Sequence, residues 1–313
     1  MTDIITLRGS KLDPQPIPKF VKTGIRTSAN TDLTDLINKG LTIRKTQDQG
    51  GNLWCGSAAN CSRKGAIHAT LVQTVFENAA NFAYYKLGDC IEEIVLTGLH
   101  EVGSLLFKSY IMPDVGLRLR GKADGIIFHD GKIRVLEVKS CGELPSNPKP
   151  EHQAQALLYA ALTGFKAILY YFSRTSVATY EEELVTREFD LSVDGTDNLP
   201  RLYLHQAIYA RLALNMGVLP AKPYHLEFKA NCGRCDHIDF CWKNGENPTN
   251  LPIVNADQHI ELLTHTNELV DRLMAPEAVQ SRRNGVLRFI SLNGNDHAKK
   301  LLNDRSIPWS SLV

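Results

Sequence analysis

The fold is decided by the stretch Gly121-Lys-Ala-Asp-Gly-Ile-Ile-Phe128, which is followed after a short break by Val135-Leu-Glu-Val-Lys-Ser140. Both segments are β-rich runs, and the residues between them include the Asp-Gly pair typical of a hairpin turn. Asp124 and Glu137 each interrupt an apolar strand. The stretch therefore predicts two hairpin strands that carry two carboxylates.

The spacing of Glu137 and Lys139 predicts which way they face. Residues two apart on a strand lie on the same face, so Leu136 and Val138 face the other way, into the core. With Asp124 from the neighbouring strand, this face forms a cup for a hard divalent cation. Such a cup suits phosphoryl hydrolysis, with Lys139 orienting or deprotonating the attacking water or neutralising charge on phosphorus. The alternative is a solvent-exposed strand face with an ordinary Glu–Lys pair.

A predicted helix over residues 151–163 favours the functional interpretation. It places Gln155 and Tyr159 four apart on one face, while its other face is apolar and packs on the sheet. Basic residues such as Lys149 occur around this region and suit the approach of a polyanion. Four tyrosines either stack on unpaired nucleic-acid bases or belong to the core, namely Tyr84, Tyr85, Tyr170 and Tyr171. A polar pair beside an acidic cup suits contacts to a phosphate backbone or a base.

Three cysteines follow the spacing Cys232-x2-Cys235-x5-Cys241, which indicates a metal in a reducing compartment. The N-terminal residues lack the apolar segment of a signal peptide, so reduced thiols are expected. A fourth ligand is needed, and Cys55, Cys61, Cys90 and Cys141 are the cysteines that remain. Cys90 fits an apolar helical pattern as a buried small residue, and Cys141 directly follows a strand end. Spacing alone does not separate zinc from an iron–sulfur cluster.

The order of elements predicts a mixed α/β sheet rather than an all-parallel one. Residues 57–100 are expected to form packed helices, followed by three strands, a helix, two strands and a helix. We divide the chain into a weakly structured lead-in (1–50), a main domain (51–245) and a helical extension (246–313). The extension contains one clear amphipathic helix, Ala256–Met274.

Composition excludes several classes of protein. The chain has 313 residues, of which 43% are hydrophobic and 22% charged, so global disorder is excluded. Its net charge of +1 means that any nucleic-acid binding uses a local patch. No apolar run approaches the length of a membrane-spanning helix. We expect a cytoplasmic protein with no membrane partner.

Asp124, Glu137-Val138-Lys139 and Gln155-x3-Tyr159, in this order and spacing, resemble the RecB-like branch of the PD-(D/E)XK nuclease superfamily. The resemblance implies a restriction-endonuclease-like sheet flanked by helices. It also implies that Asp124, Glu137 and the Val138 carbonyl hold Mg²⁺ or Mn²⁺, that Lys139 assists the water, and that Gln155 and Tyr159 position the strand.

The upstream Gly-x3-His motif of that branch is altered here. The matching stretch begins at Gly88, and Glu92 stands where histidine is usual. A carboxylate is also able to ligate a metal, so Glu92 is carried over as a further ligand. His100, eight residues on, is the competing candidate, although a surface histidine at a helix end is the plainer interpretation.

The cysteines resemble those of iron–sulfur exonucleases, namely the CRISPR-associated RecB-like exonucleases and AddB-type nuclease subunits. In these proteins one upstream cysteine joins three downstream, and Cys61 fits that position, with Ser62 where proline is usual. The resemblance implies a structural [4Fe–4S] cluster on Cys61, Cys232, Cys235 and Cys241 that clamps the N- and C-terminal segments around the sheet.

Together these resemblances imply a metal-dependent DNA exonuclease that acts on single strands or DNA ends in a prokaryotic or phage-infected cell. Expected partners are DNA, further copies of the chain, or proteins of CRISPR adaptation or recombination. Because Glu92 departs from the family pattern, a catalytically inactive DNA-binding or assembly subunit is the alternative. A zinc-stabilised interaction protein is a third interpretation.

Overall fold

The computed structural model is an α/β fold in which a five-stranded mixed sheet is covered by helices on both faces. It describes residues 43–48, 52–77, 79–112, 116–175, 186–191, 199–222, 232, 235, 237–243, 245–304 and 306–313.

The strands form one main sheet and two short pairs. In chain order they are β1 (Ile43–Asp48), β2 (Leu53–Trp54), β3 (Val72–Glu77), β4 (Leu105–Ile111), β5 (Leu119–Arg120), β6 (Lys122–His129), β7 (Lys132–Cys141), β8 (Ala167–Ser173) and β9 (Thr186–Leu191). The main sheet has the order β4-β6-β7-β8-β9, and β7 and β8 are its parallel neighbours. The short pairs are β1 with β3 and β2 with β5.

Helices surround the sheet and extend to the end of the chain. They are α1 (Cys55–Asn60), α2 (Ser62–Thr70), α3 (Ala79–Glu101), α4 (Pro150–Thr163), α5 (Leu199–Asn215), α6 (Ile238–Trp242), α7 (Ala256–Met274), α8 (Pro276–Asn293), α9 (Asp296–Asn303) and a 3-10 turn (Trp309–Leu312). Among the described residues, no helix combines the length and apolar character that crossing a membrane requires.

The hairpin of β6 and β7 confirms the prediction from the Asp-Gly pair. Asp130 and Gly131 both have positive φ, at 50° and 73°. Positive φ at both central residues is the requirement of a type I′ turn, whose twist matches that of the flanking strands. The turn therefore fixes the register that aligns β6 with β7.

The two faces of the sheet are covered by different helices. Leu96 of α3 packs with Leu136 and Val138 on one face. On the other face, Leu158 of α4 lies in the main core with Ile126. Because α4 connects β7 to β8, it is also the crossover that makes this pair parallel.

The predicted run of helices over residues 57–100 is interrupted by a strand. Val72–Glu77 pairs antiparallel with Ile43–Asp48, so part of the lead-in is structured. The segment Val-Gln-Thr-Val-Phe-Glu is rich in β-branched and aromatic residues, which favour a strand once a partner is present. The rest of the lead-in, 1–42 and 49–50, lies outside the described residues.

The C-terminal extension packs on the main domain. The predicted helix Ala256–Met274 is confirmed, and Asn255 and Gln258 form a capping box at its start. Leu287 of α8 is buried in the same core as α4. The Arg282 Nη2 atom donates to the Ala161 carbonyl at 3.0 Å, so α8 satisfies part of the C-terminal end of α4.

Candidate active site

The two carboxylates meet where the β6–β7 ladder ends. Strand pairing runs from His129 opposite Lys132 to Gly125 opposite Leu136. One step further, Asp124 Oδ2 accepts a hydrogen bond of 2.6 Å from the backbone N–H of Val138. The Asp124 side chain thus accepts the hydrogen bond of a backbone N–H beyond the end of the β6–β7 pairing, and this places Asp124 beside Glu137.

Glu137 and Lys139 share a face as predicted, but this face is covered rather than open. Glu137 is only 2% exposed. The Lys139 Nζ atom donates to Glu137 Oε1 at 2.5 Å and to Gln155 Oε1 at 3.3 Å. The interpretation as an ordinary pair on a solvent-exposed strand is therefore wrong, because α4 covers these side chains.

The predicted pair on α4 extends this polar network. Gln155 Nε2 donates to the Tyr159 hydroxyl at 2.9 Å, and that hydroxyl donates to the Lys122 carbonyl at 3.2 Å. A continuous chain of hydrogen bonds therefore runs from Glu137 through Lys139, Gln155 and Tyr159 to the start of β6. It fixes α4 against both carboxylate strands.

Burial and mutual repulsion perturb the two acids. Burial raises the pKa of Asp124 to about 7, and the Glu137 carboxylate adds to this rise. Burial likewise raises the pKa of Glu137, against the opposing effect of Lys139. Within the described structure, Glu137 Oε2 is buried without a hydrogen-bond partner. Crowded acids with an unused oxygen are typical of a functional site.

Glu92 of α3 faces the same pair of acids. Partial burial raises the pKa of Glu92, and the nearby Asp124 carboxylate raises it further. Glu92 in turn contributes to the raised pKa of Glu137. The competing candidate, His100, instead lines a separate cavity of about 420 Å³ together with Asn293 and Asn295. The structure therefore brings Glu92, and not His100, to the carboxylates.

The donor set fits a hard divalent cation. Carboxylates are the ligands that Mg²⁺ and Mn²⁺ prefer, and here Glu137 retains an unused oxygen. In the part of the chain that the structure describes, no three histidine, cysteine or carboxylate side chains are arranged to hold a metal as they stand. Lys139 meanwhile occupies Glu137 Oε1.

The four predicted cysteine ligands lie around one small cavity. Cys61 borders it from the start of α2, and Cys232, Cys235 and Cys241 border it from the C-terminal side, around a volume of about 20 Å³. The buried Arg63 reaches toward Cys241, with Nη1 3.8 Å from Sγ. The four thiols thus border one cavity, but among the described residues they are not placed closely enough to hold a metal as they stand.

The rival ligand Cys55 lies elsewhere. It is fully buried under Gly121, where an added Cβ would be 2.9 Å from Cys55 Sγ and 2.6 Å from Tyr159 Cε1. Burial raises the pKa of Cys55 to about 12, and burial also raises the pKa of Cys61, so it is position rather than pKa that separates the two thiols. Glycine at position 121 is what lets Tyr159 approach β6, a requirement that the sequence pattern did not reveal.

Residues beyond the predicted set also lie near the site. The backbone carbonyl of Lys122 accepts a hydrogen bond from the Tyr159 hydroxyl. The positive charge of the Lys122 side chain opposes the rise in the pKa values of Asp124 and Glu137. His152 contacts the Tyr171 hydroxyl at 2.9 Å, in the strand register beside Lys139. Tyr171 is therefore core rather than a stacking platform, whereas Tyr84 and Tyr85 are 56% and 59% exposed.

Comparison with solved structures gives weak similarities. The crystal structure of SSO0001 superposes with a TM-score of 0.37 and 16% identity, covering 69% of this chain and 99% of its own. The crystal structure of LHK-Exo in complex with dAMP superposes with a TM-score of 0.39 and 14% identity, and the match covers 54% of this chain and 90% of that chain. A second crystal structure of LHK-Exo, an alkaline exonuclease from Laribacter hongkongensis, superposes with a TM-score of 0.32 and 12% identity. This match covers 54% of this chain and 93% of that chain. Similarity this low supports no inference about the fold or the function of this chain.

No curated protein matches the sequence. The family profile of the PD-(D/E)XK nuclease superfamily matches residues 68–242, more than half of the chain. That range contains the two carboxylate strands, α3 with Glu92 and α4 with Gln155 and Tyr159. The chain belongs to the PD-(D/E)XK nuclease superfamily.

Proposed function

We propose that this protein is a metal-dependent deoxyribonuclease that works as an exonuclease on single strands or DNA ends. The observation that carries the proposal is the buried network of Asp124, Glu137 and Lys139, in which Glu137 Oε2 has no partner among the described residues. A structural ion pair would not need a second crowded carboxylate and an unused oxygen.

Asp124 and Glu137 are the proposed ligands of Mg²⁺ or Mn²⁺, with the Val138 carbonyl and Glu92 as further ligands. When bound, such a cation activates water and stabilises charge on a phosphodiester. The carboxylates hold its position, while the hydrogen bond from Val138 fixes the direction of Asp124.

Lys139 is proposed to act as a cation. Burial alone lowers the pKa of its ammonium group, but the ion pair with Glu137 outweighs this and raises it. A charged lysine neutralises negative charge on phosphorus and orients a water, and it is unsuited to deprotonating one. Gln155 and Tyr159 hold Lys139 and position the DNA strand.

We also propose a structural [4Fe–4S] cluster on Cys61, Cys232, Cys235 and Cys241. The shared cavity supports this ligand set, and it links α2 to the chain around α6. Anaerobic purification should yield a brown protein with iron and acid-labile sulfide, both lost in Cys61→Ser. The control is Cys90→Ser, since Cys90 is exposed. A colourless protein with stoichiometric zinc would contradict the cluster.

The nuclease proposal is tested with labelled single-stranded and duplex DNA in the presence of Mg²⁺ or Mn²⁺. We expect terminal nucleotides to be released by the wild type and by Lys299→Ala, an exposed lysine of α9. Lys139→Ala should reduce the rate by about 100-fold or more. DNA binding without any cleavage would instead favour the non-catalytic subunit, including one that assembles with CRISPR adaptation or recombination proteins.

A further inference from the structure

A second polar cluster lies at the ends of β7 and β8, beyond the catalytic network. The Arg174 guanidinium donates from Nη1 to Ser140 Oγ at 3.1 Å and from Nη2 to the Tyr84 hydroxyl. Its central carbon lies 4.2 Å from the centroid of the Tyr84 ring. We call Ser140, Arg174 and Tyr84 the strand-end cluster.

The strand-end cluster is close to the active site without being part of it. Ser140 directly follows Lys139 in β7, and Arg174 directly follows Ser173, the last residue of β8. On α3, Tyr84 precedes Glu92 by eight residues, about 12 Å along the helix axis. Ser140 faces α3, on the side of β7 opposite Lys139, and a Cβ at Gly88 of α3 would lie 3.8 Å from its Oγ. Because Glu92 approaches the acids from this same helix, the strand-end cluster lies on the α3 side of the active site, within a few nucleotides of it along a single strand.

The charge of Arg174 is available to an anion. Within the described part of the chain, Arg174 makes no ion pair with a carboxylate, and its partners are a hydroxyl pair and an aromatic ring. Lys149 is exposed and lies near Arg174. The charges of Lys149 and Arg174 both act on the Cys141 thiol, whose pKa burial raises and these two cations lower. Two such cations beside an exposed tyrosine are typical of a surface that binds a nucleic-acid strand.

We propose that the strand-end cluster binds a nucleotide of the substrate strand a few positions from the scissile bond, with Arg174 on its phosphate and Tyr84 stacked on its unpaired base. This inference rests on the proposed nuclease function and narrows its substrate to DNA that is single-stranded at this position. Stacking on Tyr84 requires a free base face, which a paired and stacked base does not offer. Ser140 and the Tyr84 ring hold the guanidinium in place before DNA arrives.

The test is DNA binding in the Lys139→Ala background, measured by fluorescence anisotropy with a single-stranded oligonucleotide and Mg²⁺. Arg174→Ala should weaken binding about tenfold and reduce the salt slope by about 0.7, the effect of one phosphate contact on a single strand. Tyr84→Ala should weaken it similarly, whereas Tyr84→Phe keeps the ring and most of the affinity. Arg288→Ala, an exposed arginine of α8, is the matched control.

Modified oligonucleotides separate a DNA contact from a structural strut. One neutral methylphosphonate moved along the strand should abolish the effect of Arg174→Ala at a single position. One abasic site should do the same for Tyr84→Ala. Circular dichroism and thermal melting check that each variant folds, and Arg174→Gln, which removes the charge but keeps a long polar side chain, replaces Arg174→Ala if the latter does not.

The outcomes distinguish this inference from the proposed function. Wild-type cleavage together with unchanged binding in Arg174→Ala and Tyr84→Ala would overturn the inference alone. An affinity loss that is the same for every modified oligonucleotide would also overturn it. Absence of both cleavage and binding in the wild type would overturn the inference together with the proposed function.

Discussion

Replacing Gly121 by alanine tests whether the packing of Tyr159 against β6 positions the catalytic network. The added Cβ would lie 2.6 Å from Tyr159 Cε1 and 2.9 Å from Cys55 Sγ. Carbon atoms in good contact are about 3.5–4.0 Å apart, so the Tyr159 ring has to retreat by about 1 Å. Its neighbour Cys55 is fully buried and leaves no space in the other direction.

The displacement is expected to reach Lys139. Tyr159 holds Gln155 at 2.9 Å, and Gln155 holds Lys139 at 3.3 Å. A shift of about 1 Å in a positioning group can cost about 100-fold in rate. Overpacking of a core should also lower the free energy of unfolding by about 1–3 kcal/mol. We therefore expect Gly121→Ala to fold, with a rate about 100-fold below wild type.

The assay combines initial rates on labelled single-stranded DNA with urea unfolding. Gly98→Ala is the control, because no atom lies within 4 Å of its added Cβ on α3. It should gain about 0.5–1 kcal/mol from helix propensity and keep the wild-type rate. A wild-type rate in Gly121→Ala would refute the claim that Tyr159 and Gln155 position Lys139.

Three further predictions follow from burial and backbone geometry. Asp124→Asn should abolish cleavage yet raise the metal-free unfolding free energy by about 1–3 kcal/mol, since burial disfavours the charged carboxylate; lower stability would contradict this. Gly164→Ala should cost over about 1 kcal/mol by urea unfolding, because φ is +80° and its Cβ would lie 2.8 Å from Arg283 Cγ; an unchanged midpoint would contradict it. Burial and Lys139 lower the pKa of His152 to about 3, so the unfolded chain gains a proton near pH 6.5 that the folded chain does not. The free energy of unfolding of the wild type should therefore fall as the pH drops from 6.5 to 5. The fall in His152→Gln should be smaller by up to about 2 kcal/mol, and an equal fall in both proteins would contradict this prediction.

The parts of the site that could be predicted from the sequence depend on local signals. The Asp-Gly turn and the two apolar runs specify the β6–β7 hairpin, whose register places Asp124 beside Glu137. The spacing of Glu137 and Lys139 fixes their shared face, and that of Gln155 and Tyr159 fixes theirs. These relations hold whatever packs around them, so the sequence pattern is sufficient.

Other features depend on contacts between distant parts of the chain. Glu137 is buried because α4 covers its face, while strand alternation alone is equally consistent with exposure. The strand Val72–Glu77 needs Ile43–Asp48 as its partner, and a segment with an apolar helical spacing gives no sign of that pairing. Likewise, Cys61 is distinguished from Cys55 only by which of them reaches the cavity at Cys241.

The extension shows the same limit. Its first helix was predictable because it is amphipathic and begins with a capping box. The contact of the extension with the main domain was not predictable, because Arg282 of α8 reaches the Ala161 carbonyl of α4 across a long separation in sequence. Through this contact α8 supports the helix that carries Gln155 and Tyr159.

The central claim is tested most directly by the time course of nucleotide release from a labelled single strand, with Mn²⁺ or with EDTA, for the wild type and Glu137→Gln. Glutamine keeps the size of the side chain but removes the carboxylate whose Oε2 is unpartnered among the described residues. We predict Mn²⁺-dependent release by the wild type, none with EDTA, and a loss of about 100-fold or more in Glu137→Gln. Release at the wild-type rate by Glu137→Gln would contradict the assignment of this site as the nuclease centre.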